Sequence, residues 1–180
     1  AYNPGTRERF LNRTRIVQSI RSTLADHDFI EIEGPTLHTI AGGAAAKPFI
    51  THHNTLDMQL TMRIALELHL KRLLVGGMER VYEMGRVYRN EGISPRHNPE
   101  FTMLEVYQAF GNYESMMDLS EAIIADAIGA IEGEDKLPWG EEEIDFSTPF
   151  PRARYHELFQ QHTGVDPADS AAVASLAGSL

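Results

Sequence analysis

Between Val81 and Phe110 the chain reads VYEMGRVYRNEGISPRHNPEFTMLEVYQAF, and no other stretch restricts its fold as tightly. Valine and aromatic residues recur from Val81 to about Arg89 and again from Phe101 to Phe110, whereas Asn90 to Pro99 is polar and carries Gly92, Pro95 and Pro99. β-Branched and aromatic side chains suit a pleated, half-buried surface, and glycine and proline interrupt it. The segment therefore predicts two antiparallel strands joined by a loop, a long hairpin. Strand side chains alternate faces, so Arg89 and Glu91 point the same way, as do Phe101, Glu105 and Tyr107 on the return. One face gathers a cation, two carboxylates and two rings. The pattern alone leaves open that this face is the solvent side of a sheet.

Around the hairpin the apolar spacing becomes helical. From about Thr6 to Asp26, Phe10, Val17, Ile20 and Leu24 fall near one stripe among Arg, Asn, Gln and Ser, which predicts an amphipathic helix. Phe29, Ile30 and Ile32 predict a short strand that Gly34 and Pro35 stop. Leu66, Leu70, Leu73 and Leu74 mark a second helix, ended by Gly76 and Gly77. Asn112 is placed to cap a third, with Met116, Leu119, Ile123, Ala127 and Ile131 at helical spacing and Gly133 as its stop. Beyond it the signals thin to an acidic turn near Glu141, a strand at Ile144 to Phe146, a helix near Tyr155 to His162 and an alanine-rich end. These elements predict an α+β fold of ordinary domain size, a mainly antiparallel sheet with helices packed on it.

Charge narrows the function. With 26 acidic and 16 basic residues the net charge is -10, which makes a poor polyanion binder, because nucleic-acid affinity rests on Lys and Arg neutralising phosphates. The cluster of Arg86, Arg89 and Arg96 suits a compact anion better than a long nucleic-acid track. The absence of cysteine excludes a disulfide framework and a thiolate metal site and fits a reducing, cytoplasmic setting. No apolar run approaches the ~18 residues of a membrane helix, and the polar start from Ala1 to Arg9 does not read as a signal peptide. His52 and His53 are adjacent, so on a strand they face opposite ways, and no third ligand is near in sequence; no metal site is expected there.

The string RNEGISPRHNPEFTMLE, Arg89 to Glu105, closely resembles motif 2 of the class II aminoacyl-tRNA synthetases, and HNPEFTMLE narrows the likeness to the lysyl branch and its relatives. The first helix with FIEIE and Pro35, about residues 10–35, resembles motif 1. AGGAAAKPFITHHN, Ala41 to Asn54, is similar to the lysyl-specific GGAxA[RK]PF segment, and RIALELHLKR, Arg63 to Arg72, resembles that family's RIAPELYLKR. The likeness runs from about Arg9 to Gly164, and the tail from 134 to 180 is weakly assigned.

The resemblance implies a synthetase-type catalytic domain and a role for each matching position. Arg89 matches the arginine that grips the α-phosphate of ATP, a bidentate task for a planar guanidinium. Glu91 matches an acid near the adenine and amino-acid pocket, Phe101 the ring that stacks on adenine, and His97 and Asn98 the loop residues that close over ATP. Glu67 and Tyr107 match receivers of the lysine ε-ammonium, Glu105 an acid that holds the substrate amino group, and Gly43 a glycine whose backbone meets the substrate. Read from spacing alone, Glu67 and Lys71 form an exposed i, i+4 ion pair, Phe101 a core ring and Gly42-Gly43 a turn.

The likeness also implies activation of lysine by ATP, with Mg2+ as the family's usual metal, transfer to tRNA(Lys) in the complete enzyme, a homodimer formed through Phe10 to Pro35, and no membrane. Other readings are a ligase that loads a lysine-type group onto a protein, and a non-catalytic core that binds ATP or lysine or only dimerises. Two positions depart from the family pattern: its proline before the glutamate is Leu66, and its tyrosine two residues after is His69. After Gly164 nothing resembles motif 3 or the late acids that supply magnesium ligands, and the anticodon-binding barrel has no counterpart. The expectation is a chain that holds ATP through its hairpin, activates lysine slowly and charges tRNA poorly.

Overall fold

In the computed structural model, which describes residues 3–131 and 135–178, the chain divides into two compact units, 1–134 and 135–180. The first begins with α1 (Pro4–Asp26), whose start is fixed by Asn3: its side chain accepts a hydrogen bond from Thr6 N at 3.4 Å. After it come β1 (Ile30–Glu31), β2 (Leu37–His38), β3 (Ile50–His53), β4 (Met58–Met62), α2 (Glu67–Val75), β5 (Arg80–Tyr88), β6 (Glu100–Gln108) and α3 (Tyr113–Gly129).

The predicted hairpin is β5 and β6, paired antiparallel with Val87 opposite Phe101 and Glu83 opposite Glu105. Strand β1 adds to β5 in parallel, Ile30 beside Val81, so this sheet, ordered β1-β5-β6, is mixed rather than wholly antiparallel. A second sheet, β2-β4-β3, is antiparallel throughout. The α+β expectation holds. Phe110 lies outside β6: its φ of 59° is not a strand conformation, and it is 97% exposed.

Each face of the hairpin carries a packed apolar cluster. Tyr82 of β5 packs with Leu24 of α1, Phe29 and Leu119 of α3, and Leu104 and Val106 of β6 join that cluster. On the opposite face Val81 and Val87 pack with Leu66 and Leu70 at α2, against Met103, Phe101 and Tyr107. The result is three layers, α1 and α3, then the sheet, then α2. Thr23 ties the outer helices together by donating to Asp126 Oδ2 at 2.6 Å. The stripe predicted for α1 divides: Leu24 is buried, but Phe10 is 68% exposed.

Helix boundaries follow their punctuation. Gly76 caps α2 and Gly77 takes a φ of +97°. Asn112 and Ser115 form a reciprocal capping box at the start of α3. That helix ends at Gly129, before Ile131, and the expected stop at Gly133 lies outside the described residues.

In the second unit β7 (Lys136–Trp139) pairs antiparallel with β8 (Glu142–Asp145) across the turn at Gly140 and Glu141. Then come α4 (Tyr155–Thr163), closed by Gly164 at φ +72°, and α5 (Ser170–Ala177), capped by Asp169. Among the described residues no helix is long and apolar enough to cross a membrane.

Candidate active site

The α2 face of the hairpin carries the candidate residues, and two buried charges set its base. Arg63, just after β4, pairs with Glu83 of β5 at 2.5 Å, both side chains under a tenth exposed. Arg63 also donates to Arg86 O at 2.7 Å and Gly34 O at 3.1 Å, while its own carbonyl accepts from Tyr88 N at 2.9 Å. The pair fits because two glycines make room for it. A Cβ on Gly85 would stand 2.3 Å from an Arg63 nitrogen, and one on Gly34 2.9 Å from a Glu83 oxygen. Every partner is satisfied, as a buried charge requires. Sequence reasoning passed over this pair, although a glutamate between Tyr82 and Met84, two residues before a glycine, was a signal of it.

This clamp fixes where β4 leads into α2 and where β5 ends. The next carbonyl, of Ile64, accepts from Arg89 Nε at 3.3 Å, and the Arg89 guanidinium lies 5.3 Å from the centroid of the Phe101 ring. Arg89 N donates to Pro99 O at 2.8 Å and closes the base of the loop from Asn90 to Pro99. Within the loop Ser94 and His97 exchange backbone hydrogen bonds, and Ser94 Oγ lies 2.8 Å from His97 Nδ1. The loop folds over an open cavity of about 370 Å³ lined by Arg89, Glu91, Gly92, Arg96, His97, Asn98 and Phe101. All five residues matched to ATP border that one space. Arg86, grouped with Arg89 and Arg96 on sequence grounds, does not: it projects from the other face, exposed, 3.5 Å from Glu100.

The four residues matched to lysine meet at the start of α2. Leu66 has no side-chain cap to offer, and its N–H donates instead to Glu105 Oε1 at 2.9 Å. The proline of the family pattern has no N–H to give, so this departure alters how Glu105 is held. Glu105 Oε2 accepts from the Tyr107 hydroxyl at 2.8 Å. Burial first, then the hydrogen bond to Glu105 and the charges of Glu105 and Glu67, push the Tyr107 phenol well above its ordinary range. Tyr107 is therefore a neutral donor at any ordinary pH. Glu67 pairs with Lys71 one turn on, so the ion pair read from spacing does form. Its surroundings go beyond that reading: Gly43, at φ +87°, lies so close that a Cβ there would be 3.1 Å from those of Ala65 and Glu67. A side chain at 43 would be crowded by these neighbours and strained by the backbone conformation.

The Ala41 to Asn54 segment joins the two groups. Gly42 and Gly43 lie against α2, and four residues on Lys47 N donates to Glu91 Oε1 at 3.2 Å while Lys47 O accepts from Asn90 N at 2.7 Å. His52 and His53, further along, contact Asp57 at 3.2 Å and Leu56 N at 3.2 Å respectively. His69, the second departure, meets His38 edge to face at 4.9 Å, and burial, with the charges of His38 and Arg72, lowers its pKa.

The antiparallel β5–β6 hairpin with helices packed on it, and an arginine and an aromatic ring facing a loop-covered cleft, fit the class II synthetase type of core that the motif strings imply. The chain matches the family model of class II tRNA synthetases (D, K and N) over residues 1–177, and it belongs to that family. Within the family it is 51% identical to the lysine-tRNA ligase of Bacillus subtilis over 91% of this chain and 33% of that protein. Against the lysine-tRNA ligase of Moorella thermoacetica it is 54% identical over 91% of this chain and 34% of that one. The chain thus spans about a third of the length of these curated relatives.

Proposed function

We propose that the chain forms the motif 1 and motif 2 portion of an enzyme that activates lysine with ATP to lysyl-adenylate, which in the whole protein, in the cytoplasm, passes lysine to tRNA(Lys). One observation carries this reading: all five ATP-matched residues border a single cavity, and the lysine-matched four meet at the start of α2, with residues 42–47 touching both groups. The lysine carboxylate attacks the α-phosphorus in line; an oxygen–phosphorus bond forms as the bond to pyrophosphate breaks, and pyrophosphate leaves.

Arg89 has Nε committed to Ile64 O and its plane beside Phe101, which leaves its Nη fork to meet the α-phosphate as charge develops there. Phe101 supplies the surface for adenine. Glu67 and Tyr107 replace the water lost by the ε-ammonium, and Glu105, steadied by Leu66 N and Tyr107, takes the α-amino group. Mg2+ is the family's expected metal, yet among the described residues no three His, Asp or Glu side chains converge to hold one.

Glu67→Gln is expected to weaken lysine binding by about 2–4 kcal/mol, because the amide cannot balance a desolvated ammonium. Calorimetric titration with L-lysine measures this, and unchanged affinity would remove Glu67 from the pocket. The same reading makes the chain a homodimer through residues 10–35, a use for the exposed Phe10. Light scattering at tens of micromolar should give twice the chain mass, on the concentration scale of ordinary dimer affinities; a stable monomer would contradict it.

A further inference from the structure

The loop over the cavity contains one tight turn, Ser94-Pro95-Arg96-His97. Serine at the first position and proline at the second are residues that the commonest β-turn favours: the proline ring presets the backbone, and the serine hydroxyl reaches a nearby N–H. The turn closes with Ser94 N donating to His97 O and His97 N donating to Ser94 O, both at 3.1 Å. Ser94, a partly buried residue, accepts at Oγ from Arg96 N at 3.2 Å, and the same Oγ lies 2.8 Å from His97 Nδ1. A neutral imidazole has one donor and one acceptor nitrogen, and the partner of one nitrogen decides which is which. The serine hydroxyl has a single proton to give. With the Arg96 N–H on one lone pair of Oγ, that proton is employed when it points to Nδ1, whereas the reverse bond, from Nδ1–H to Oγ, leaves it without a partner in the turn. The N–H on Oγ also polarises the hydroxyl and makes it a better donor. Nδ1 is then the acceptor, and Nε2, on the far side of the ring, carries the hydrogen.

We propose that Ser94 is a positioning residue for the nucleotide: by donating to Nδ1 of His97 it holds that ring as an Nε2–H donor for the polyphosphate of ATP. The inference rests on the nucleotide site proposed above. Two guanidinium groups, of Arg89 and Arg96, border the cavity with His97, and an N–H beside them suits an anion where a bare nitrogen would repel it. Ser94 itself touches no substrate. A ring free to choose its tautomer and rotamer would spend part of its time presenting a lone pair to phosphate oxygens, and fixing it beforehand removes that cost from binding.

The test joins nitrogen NMR of the imidazole rings to calorimetric titration of the 180-residue chain with ATP and, separately, with L-lysine. The forms compared are the unaltered chain, Ser94→Ala, Ser94→Thr, His97→Ala, Ser94→Ala combined with His97→Ala, and Arg89→Ala. At about pH 8, above the ordinary histidine range, the His97 signal, identified by its loss in His97→Ala, should show Nε2 protonated and Nδ1 bare. Ser94→Ala should move that signal toward a mixture of tautomers. It should also weaken ATP binding about fivefold, the usual worth of one hydrogen bond, and leave lysine affinity within about twofold. Ser94→Thr keeps the hydroxyl and should bind ATP within about twofold of the unaltered chain. In the His97→Ala background, Ser94→Ala should cost less than about twofold more, because Ser94 acts through the ring. A protonated Nδ1 in the unaltered chain, unchanged ATP affinity in Ser94→Ala, or a loss that persists in full without His97 overturns the inference. Parallel loss of lysine affinity in Ser94→Ala also overturns it, since that marks a disturbed fold. ATP affinity indifferent to His97→Ala but sensitive to Arg89→Ala overturns the inference and leaves the nucleotide site standing. ATP binding absent from the unaltered chain, or indifferent to Arg89→Ala, overturns the nucleotide reading and the inference with it.

Discussion

Replacing Arg89 by alanine should lower lysine-dependent ATP–pyrophosphate exchange about 10²–10³-fold, the usual cost of one preorganised charge contact to the transition state. The Arg89 guanidinium is held through Nε by the Ile64 carbonyl and lies beside the Phe101 ring, so it is already placed for the proposed contact with phosphate. Arg86→Ala is the matched control. It removes the same charge three residues away, from a side chain on the other face of β5 that is exposed beside Glu100, and should change exchange by less than about twofold. Exchange that ignores Arg89, or that responds equally to both changes, would place the nucleotide elsewhere.

The second large effect falls on stability. Arg63→Met leaves Glu83 buried without a counter-ion and beside Glu105, its cross-strand partner on the same face. Breaking one side of such a pair costs about 3–5 kcal/mol, and like carboxylates opposite each other on a sheet add to the loss. Urea unfolding followed by circular dichroism measures it as a lowered midpoint at unchanged slope. Arg63→Met combined with Glu83→Leu should recover most of the loss, because no charge then remains buried. A loss below about 1 kcal/mol in the single variant would mean that Glu83 finds other solvation, and that the pair does not clamp β4 to β5.

The hairpin and the helices of the first unit were legible because their signals are local: alternation in β5 and β6, helical spacing in α1 and α3, a cap at Asn112 and a glycine pair after α2. The elements that were missed depend on distant partners. Strands β2, β3 and β4 are only two to five residues long, and they exist because each pairs with another, Thr61 with both His38 and Ile50. Strand β7 carries Pro138, which argues against a strand unless one edge is free. The parallel addition of β1 needs the whole of α2 between the paired strands and leaves no mark in Ile30 and Glu31 themselves. The candidate site was legible residue by residue through the motif strings. Its supports were not: the Leu66 N–H on Glu105, the Lys47 backbone on Glu91 and the Arg63–Glu83 pair are contacts between elements that no single motif contains.

The span from Gly42 to Lys47 rests at one end on the start of α2 and at the other on the loop that comes after β5. A chemist would call it a shared ligand arm. If the chain acts as proposed, lysine and ATP would border one and the same stretch of backbone, so a change that one imposed on it would be met by the other. Thermodynamic linkage then makes the effect mutual. Whatever factor the nucleotide would apply to the affinity for the amino acid, the amino acid would apply to the affinity for the nucleotide.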